Sequence, residues 1–308
     1  MAHTTAHRMN RRQFLCVGAG AVAGFAIPRT ALAQPPVKLT DRVALVPAAG
    51  TNVVALASGD SLILVDSGAP EFADAVARDA SARRRIRIPT VFNTHWHLEN
   101  TGANGPLHDA GAEIVAHEQT RVWMSTPTWM PAEDRYREPR PVNARPTKTF
   151  YTTGSMTSGP EHIEYGYLIE AHTSGDMYVF FRDSNVLAVG DVASPVRDPE
   201  LDYLTGAWIG GRLDALTKLL AISNADTRIV PGFGPVMTRA ELQAERDLMK
   251  TIYDRGVDRI RAGDSPDDML AAGVLEGLPR TWSDPKKFIY AVHKGLWAHH
   301  NKLSPNIV

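Results

Sequence analysis

Residues 92–104 read FNTHWHLENTGAN and place two histidines, His95 and His97, two positions apart. The residues just before them, RIPTVF at 87–92, are typical of a β-strand, so the pair is expected at the strand's carboxyl end. In an extended chain, side chains at i and i+2 point to the same side, which lets two imidazoles bind one ion. Because His-x-His also occurs as an ordinary surface pair, the surrounding sequence has to decide between the two readings.

The composition is that of a globular protein. The chain has 308 residues, of which 44% are hydrophobic and 22% are charged. This length allows one large domain or two small ones. A formal net charge of -1 gives no sign of a nucleic acid partner, and none is predicted.

Residues 1–33 differ from the rest because they contain four arginines and no acidic residue. An apolar segment follows Arg11-Arg12 and ends at Ala31-Leu32-Ala33, a small-x-small site that signal peptidases cut. The NRRQFL sequence at 10–15 resembles a twin-arginine export signal. We therefore predict a bacterial precursor that binds the twin-arginine export machinery, is cut near Ala33, and becomes periplasmic or secreted. A frayed helical tail and an uncleaved anchor are the alternatives.

The only cysteine, Cys16, lies within this N-terminal segment. The predicted mature chain from Gln34 therefore has no disulfide and no thiolate ligand, so His, Asp, Glu, Asn or water must hold any metal. The apolar run at 14–27 is too short and too weakly hydrophobic for a good membrane span, and no stable span is predicted in the mature chain.

The pattern downstream mixes strands and helices, with several adjacent hairpins. Such a mixture favours two sheets with outer helices over a doubly wound sheet. Residues 121–160 lack clear periodicity and are predicted to form a long loop with short helical pieces. Helices are predicted at 71–82, 212–223, 239–261 and 284–300. We expect one domain over 34–238 and a helical extension over 239–308 packed on it.

Five segments resemble, in order, the motifs of the metallo-β-lactamase superfamily. They are LVDSG at 64–68, HWHLENTGAN at 95–104, AHTSGD at 171–176, VGD at 189–191 and VPGFGP at 230–235. Five ordered matches are far less common by chance than one. The resemblance covers roughly residues 41–238 and implies an αββα sandwich of two mixed β-sheets with outer helices.

Carried over position by position, the resemblance implies that His95, His97 and His172 bind a first metal ion. Asp191 stands where the family has an aspartate that bridges two metals, and Asp66 stands where an aspartate orders the metal loops. Three protein ligands with one open position are the arrangement of catalytic zinc.

Three departures from the family pattern fall on the second metal site. Glu99 replaces an aspartate, while Asn100 and Phe233 each replace a histidine. The second site retains Glu99, Asp191 and the Asn100 side-chain carbonyl, a weak donor set for zinc. We therefore predict one zinc ion, with another divalent metal as the alternative, and an oxygen-rich remnant better suited to magnesium or manganese.

Two catalytic residues are predicted, with their roles left open. Asp191 is a fourth ligand or a hydrogen-bond partner of a metal-bound water, whose pKa would fall to about 7. Glu99 is the general base or a ligand of a weakly held second ion.

Two aromatic features have two readings each. Trp123, Met124, Trp129 and Met130 form a substrate-facing flap or pack the loop down, and Trp208 walls the pocket or is buried in the core.

The predicted function is an exported metal-dependent hydrolase of a small ester, lactone or amide. Two alternatives stand beside it. One is a pseudoenzyme or binding protein on the same fold, and the other is a metal enzyme with non-hydrolytic chemistry, since a fold does not fix a function.

Overall fold

The computed structural model describes residues 37–48, 51–71, 73, 87–130 and 134–303. The predicted signal peptide at 1–33 and most of the predicted helix at 71–82 lie outside these residues. No helix in the described ranges has the length and apolar character needed to cross a bilayer.

The first sheet contains seven strands in the order β1-β2-β3-β4-β5-β6-β9. Strands β1 to β4 are antiparallel, and β4, β5, β6 and β9 run parallel, so the sheet is mixed. The strands are β1 (Val37–Lys38), β2 (Val43–Ala48), β3 (Thr51–Ser58), β4 (Ser61–Val65), β5 (Arg87–Phe92), β6 (Glu113–His117) and β9 (Lys148–Phe150).

The second sheet contains five strands in the order β10-β11-β12-β13-β14. The first four are antiparallel neighbours, and β13 pairs with β14 in parallel. The strands are β10 (Thr153–Ser158), β11 (Glu161–Tyr167), β12 (Met177–Phe181), β13 (Val186–Gly190) and β14 (Arg228–Pro231). A separate hairpin joins β7 (Thr128–Met130) to β8 (Arg135–Arg137).

The two sheets pack face to face. Their shared core joins Val54 and Phe92 of the first sheet to Ile163 and Phe181 of the second. The outer faces are apolar as well, which explains why β12 and β13 are buried along their whole length. Helices cover those outer faces, so the predicted αββα sandwich of two mixed sheets is confirmed.

Among the described residues, the helices beside the first sheet have at most eight residues, and the three longest helices lie beside the second sheet. They are α1 (Leu98–Thr101), α2 (Asn104–Asp109), α3 (Glu118–Ser125), α4 (Ile209–Ile222), α5 (Arg239–Ala262), α6 (Pro266–Ala271), α7 (Pro285–Ala298) and α8 (His300–Leu303), with 3₁₀ turns at Val142–Ala144 and Tyr203–Thr205. Helix α5 starts with a capping box between Thr238 and Glu241 and ends at Gly263 in the left-handed conformation. Helices α4, α5 and α7 share one apolar cluster with the second sheet.

The prediction of a long loop with short helical pieces over 121–160 is wrong in part. The structure has the short helical pieces, most of α3 and the 3₁₀ turn at Val142–Ala144, but it also places the β7-β8 hairpin, β9 and β10 there. Strand β10, TGSMTS, alternates exposed and half-buried residues at a sheet edge, so it lacks the apolar signal that marks a central strand. The domain boundary at residue 238 stays a prediction.

Candidate metal centre

Three imidazoles meet at one end of the sandwich. His95 and His97 follow the carboxyl end of β5, and His172 lies in the loop between β11 and β12. Each pair of rings is 4.7 Å apart between centroids, and the interplanar angles are 79°, 86° and 90°. One nitrogen from each ring lies within 4.8 Å of the other two, as a metal ligand set requires. The structure thus brings together the three predicted histidines.

A hydroxyl fixes the orientation of the His95 ring. Its Nδ1 lies 3.1 Å from Thr94 Oγ1, which itself donates to Asp66 Oδ2 at 2.8 Å. The Thr94 oxygen can therefore accept the His95 Nδ1 proton, which leaves the Nε2 lone pair free. Burial, with smaller contributions from the neighbouring His172, His97 and Arg197 charges, holds the pKa of His95 well below its ordinary value. The His95 ring is therefore neutral, and its Nε2 lone pair can bind a metal ion.

The other two histidines have acceptors on their outer nitrogens. His97 Nε2 lies 3.4 Å from Asp202 Oδ2, and His172 Nδ1 lies 2.9 Å from the carbonyl oxygen of Glu200. His97 Nε2 and His172 Nδ1 each donate a proton to these acceptors. The other ring nitrogens, His97 Nδ1 and His172 Nε2, therefore have free lone pairs, and they lie 3.0 Å apart. A carboxylate or carbonyl behind each ligand is the usual support of a histidine metal site.

The three nitrogens fit a metal ion better than a proton. Burial alone would lower the pKa of His97, but the hydrogen bond and charge of Asp202 raise it overall. A proton on His97 Nδ1 satisfies His172 yet leaves buried His95 Nε2 without a partner among the described residues. A tetrahedral ion with Zn–N bonds of about 2.0–2.1 Å needs donors about 3.3 Å apart and satisfies all three nitrogens.

Asp176 shapes the loop that carries His172. Its Oδ2 accepts the backbone N–H groups of His172 at 2.6 Å and Thr173 at 2.7 Å, and its Oδ1 accepts the Thr173 hydroxyl at 2.8 Å. Burial raises the pKa of Asp176, and the charge of His172 and these hydrogen bonds oppose the increase. The carboxylate orders the loop and does not belong to the ligand cluster.

Two glycines let Asp191 approach the triad. Gly190 has φ +54°, and a Cβ there would lie 2.7 Å from Thr94 Cβ. A Cβ at Gly232 would overlap Asp191 Oδ1. Since no larger residue fits either position without a shift, the VGD and PGFGP segments serve to place the carboxylate.

The predicted ligand and catalytic residue Asp191 lies beside the triad. Its Oδ2 is 3.8 Å from His172 Nε2, and its side chain is buried. The same oxygen also accepts from Arg197, whose guanidinium lies 3.1 Å above the centroid of the Phe233 ring. No sequence motif singles out Arg197.

The remaining second-site positions are poorly equipped to bind an ion. The Asn100 side-chain nitrogen donates to Asp66 Oδ2 at 3.0 Å, and its buried oxygen, which has no hydrogen bond within the described residues, is only a neutral amide donor. Phe233 offers no donor atom. Glu99 is half-buried on α1, outside the histidine cluster, and its charge acts on His97.

A buried ion pair ties the Asp191 loop to the C-terminal helices. Arg212 of α4 donates to the Asp191 carbonyl at 3.0 Å, to Ser194 Oγ at 2.9 Å and to Glu245 of α5 at 3.0 Å. Arg280, after α6, donates to the carbonyls of Ser194 and Arg197. The C-terminal segment therefore holds the loop that carries Asp191 and Arg197.

Of the tryptophans and methionines expected either to pack in the core or to face the substrate, some are buried and one is exposed. Trp208 is 6% exposed and lies in the core cluster, which favours packing. Met124 is buried, Trp123 donates to Ser174 Oγ at 2.7 Å, and Trp129 is 42% exposed on the β7-β8 hairpin.

Comparison with known proteins gives a family and a fold. The profile described as "Metallo-beta-lactamase superfamily" matches residues 46–260. No curated protein sequence matches the chain.

Two solved structures share the fold at low identity. A metallo-beta-lactamase from Pontibacter korlensis has a TM-score of 0.55 and 17% identity, and the match covers 70% of this chain and 98% of that one. TMB-1, a protein studied for substrate and inhibitor binding, has a TM-score of 0.55 and 16% identity, and the match covers 70% of this chain and 96% of that one. Identities this low establish a shared fold alone.

Proposed function

This chain belongs to the metallo-β-lactamase superfamily, and we propose that it is a hydrolase that works with one metal ion at His95, His97 and His172. The observation that carries this proposal is the convergence of three nitrogen lone pairs. Each has an acceptor behind its ring, and one of them, His95 Nε2, is buried with no partner in the described residues.

Zinc is the metal we propose. Three imidazoles with one open coordination position are typical of catalytic zinc. Such an ion supplies a Lewis acid for a substrate carbonyl and lowers the pKa of a bound water to about 7. The other catalytic roles, including the general base, belong to side chains of the protein.

We assign the general base to Glu99 over Asp191. The Asp191 carboxylate is already paired with Arg197, so its Oδ2 already accepts a hydrogen bond. Glu99 has a side chain that makes no hydrogen bond within the described residues, and it lies two positions from His97 at the start of α1. In this role Glu99 takes a proton at the triad and returns it to the leaving group.

The proposed substrates are small esters, lactones and amides. These classes share a carbonyl carbon that water attacks, and the fold alone does not select among them. One of the two solved structures is named a metallo-beta-lactamase, so β-lactams belong in any substrate panel.

Hydrolysis of an ester, lactone, amide and β-lactam panel by the metal-loaded chain tests this proposal. We expect turnover of at least one class, loss of turnover in His97→Ala, and a larger loss of kcat in Glu99→Gln than in Asp191→Asn. Full metal loading with no turnover of any class would favour a binding protein, and equal losses in the two acid variants would contradict the assignment of Glu99.

We also propose export through the twin-arginine pathway, with cleavage near Ala33 and a periplasmic or secreted location. The support is the sequence of residues 1–33. Mass spectrometry of the chain recovered from a bacterial periplasm should show a start near Gln34. An Arg11→Lys, Arg12→Lys precursor should remain uncleaved in the cytoplasm, and normal export of that variant would refute the pathway.

A further inference from the structure

A guanidinium lies beside the histidine triad, on the carboxylate expected to bind a second metal. We propose that the Arg197 guanidinium takes the place of a second metal ion and thereby keeps this metal centre mononuclear. The inference rests on the proposed binding of one ion at His95, His97 and His172.

The first support is a shared oxygen atom. Asp191 Oδ2 faces His172 Nε2 at 3.8 Å and at the same time accepts from Arg197. The other oxygen, Oδ1, is buried against Gly232 and has no hydrogen bond within the described residues. A second ion that used Oδ2 would have to displace the guanidinium, since that oxygen is already paired with a positive charge.

The second support is the replacement of a ligand by a ring that binds a cation. Phe233 cannot coordinate a metal, but its face lies 3.1 Å from the Arg197 guanidinium carbon. The face of an aromatic ring attracts a cation, and arginine is the side chain most often found there. The same position thus loses a metal donor and gains a contact that suits an organic cation.

The third support is the fixed backbone of the arginine loop. Arg280 donates to the carbonyl oxygen of Arg197, and Asp198 accepts the backbone N–H groups of Ser283 and Asp284 at 2.9 Å and 2.7 Å. Gly234, at φ +91°, lies close to the Val196 side chain, so a Cβ there would be 2.9 Å from it. Because these contacts fix the backbone on either side of Arg197, its guanidinium stays over Phe233.

Metal counting in four purified chains tests the inference. Wild type should hold one ion per chain. Asn100→His with Phe233→His restores two imidazoles, yet it should still hold one ion because Arg197 keeps its pairing with Asp191 Oδ2. Adding Arg197→Ala to that pair should give two ions, while adding Arg228→Ala, at an exposed arginine on β14, should give one.

The outcomes separate this inference from the proposed function. Two ions in the double variant, or one ion in the folded Arg197→Ala triple variant, would overturn the role of Arg197 and leave the single-metal hydrolase intact. No ion in wild type would overturn both.

A single substitution provides a second test if the triple variant fails to fold. Arg197→Gln removes the positive charge and frees Asp191 Oδ2, so a cobalt titration of the triad should show affinity about tenfold tighter, or about 1.4 kcal/mol. Arg228→Gln should leave the affinity unchanged. Unchanged or weaker cobalt binding in Arg197→Gln would refute the inference.

Discussion

Replacing Glu245 with alanine should destabilise the chain by about 3–5 kcal/mol, because it leaves a buried arginine without its counter-ion. Arg212 has a fully buried side chain, and the Glu245 side chain is 4% exposed. The carboxylate accepts from Arg212 at 3.0 Å and from the Ser194 backbone N–H at 2.8 Å and 3.0 Å. Little water reaches either group, so solvent cannot replace the lost partner.

The magnitude is a large part of a typical folding free energy of about 5–15 kcal/mol. Urea unfolding of the metal-free chain, followed by circular dichroism, measures it. Asp258→Ala on the same helix is the matched control, since Asp258 is exposed and should change the free energy by less than about 0.5 kcal/mol. Removing both charges, as Arg212→Met with Glu245→Leu, should recover much of the loss because no unpaired charge remains.

A loss of unfolding free energy below about 1 kcal/mol in Glu245→Ala would refute this reasoning. A double variant whose loss equals the sum of the losses in Arg212→Met and Glu245→Leu would refute it as well. Either result would mean that water or another side chain compensates Arg212. The C-terminal helix would then not hold the Asp191 loop through this pair.

Three further predictions concern the groups around the triad. Asp202→Asn removes the charge behind His97 and should weaken zinc binding by about 10- to 100-fold in a competition titration at fixed pH, whereas an unchanged affinity would show that the carboxylate does not support the ligand. Gly232→Ala should displace the Asp191 carboxylate and lower the melting temperature, and a variant as stable as wild type would contradict the close approach. Arg280→Met should loosen the loop after Asp191 and raise its amide exchange measured by mass spectrometry, and an unchanged exchange rate would mean that other contacts fix the loop.

The sequence was sufficient for the parts of the site that sit in ordered motifs. His95 and His97 follow an apolar strand, and the structure places them with His172 as predicted. The two-sheet sandwich followed from the mixture of strands, helices and adjacent hairpins together with the family resemblance, and the structure buries β12 and β13 along their whole length.

The residues that support and modify the site had no such signal. Asp202 and Arg197 lie in a segment without regular structure or periodic spacing, where charged residues usually face solvent. Arg212 and Glu245 lie 33 positions apart on two helices and meet only after those helices pack. Contacts of this kind depend on tertiary structure and cannot be read from local pattern.

The missed strands have a similar cause. Strands β9 and β10 are sheet edges, and the six residues of β10 alternate between exposed and half-buried. An edge strand that buries little apolar surface resembles a loop in sequence.

The central claim is that three imidazoles hold one metal ion. X-ray absorption on the purified, folded chain, combined with elemental analysis, tests it most directly. We predict one ion per chain with three imidazole nitrogens at about 2.0–2.1 Å, and its loss in His97→Ala. A chain that binds no transition metal, or an ion that His97→Ala retains with unchanged coordination, would contradict the claim.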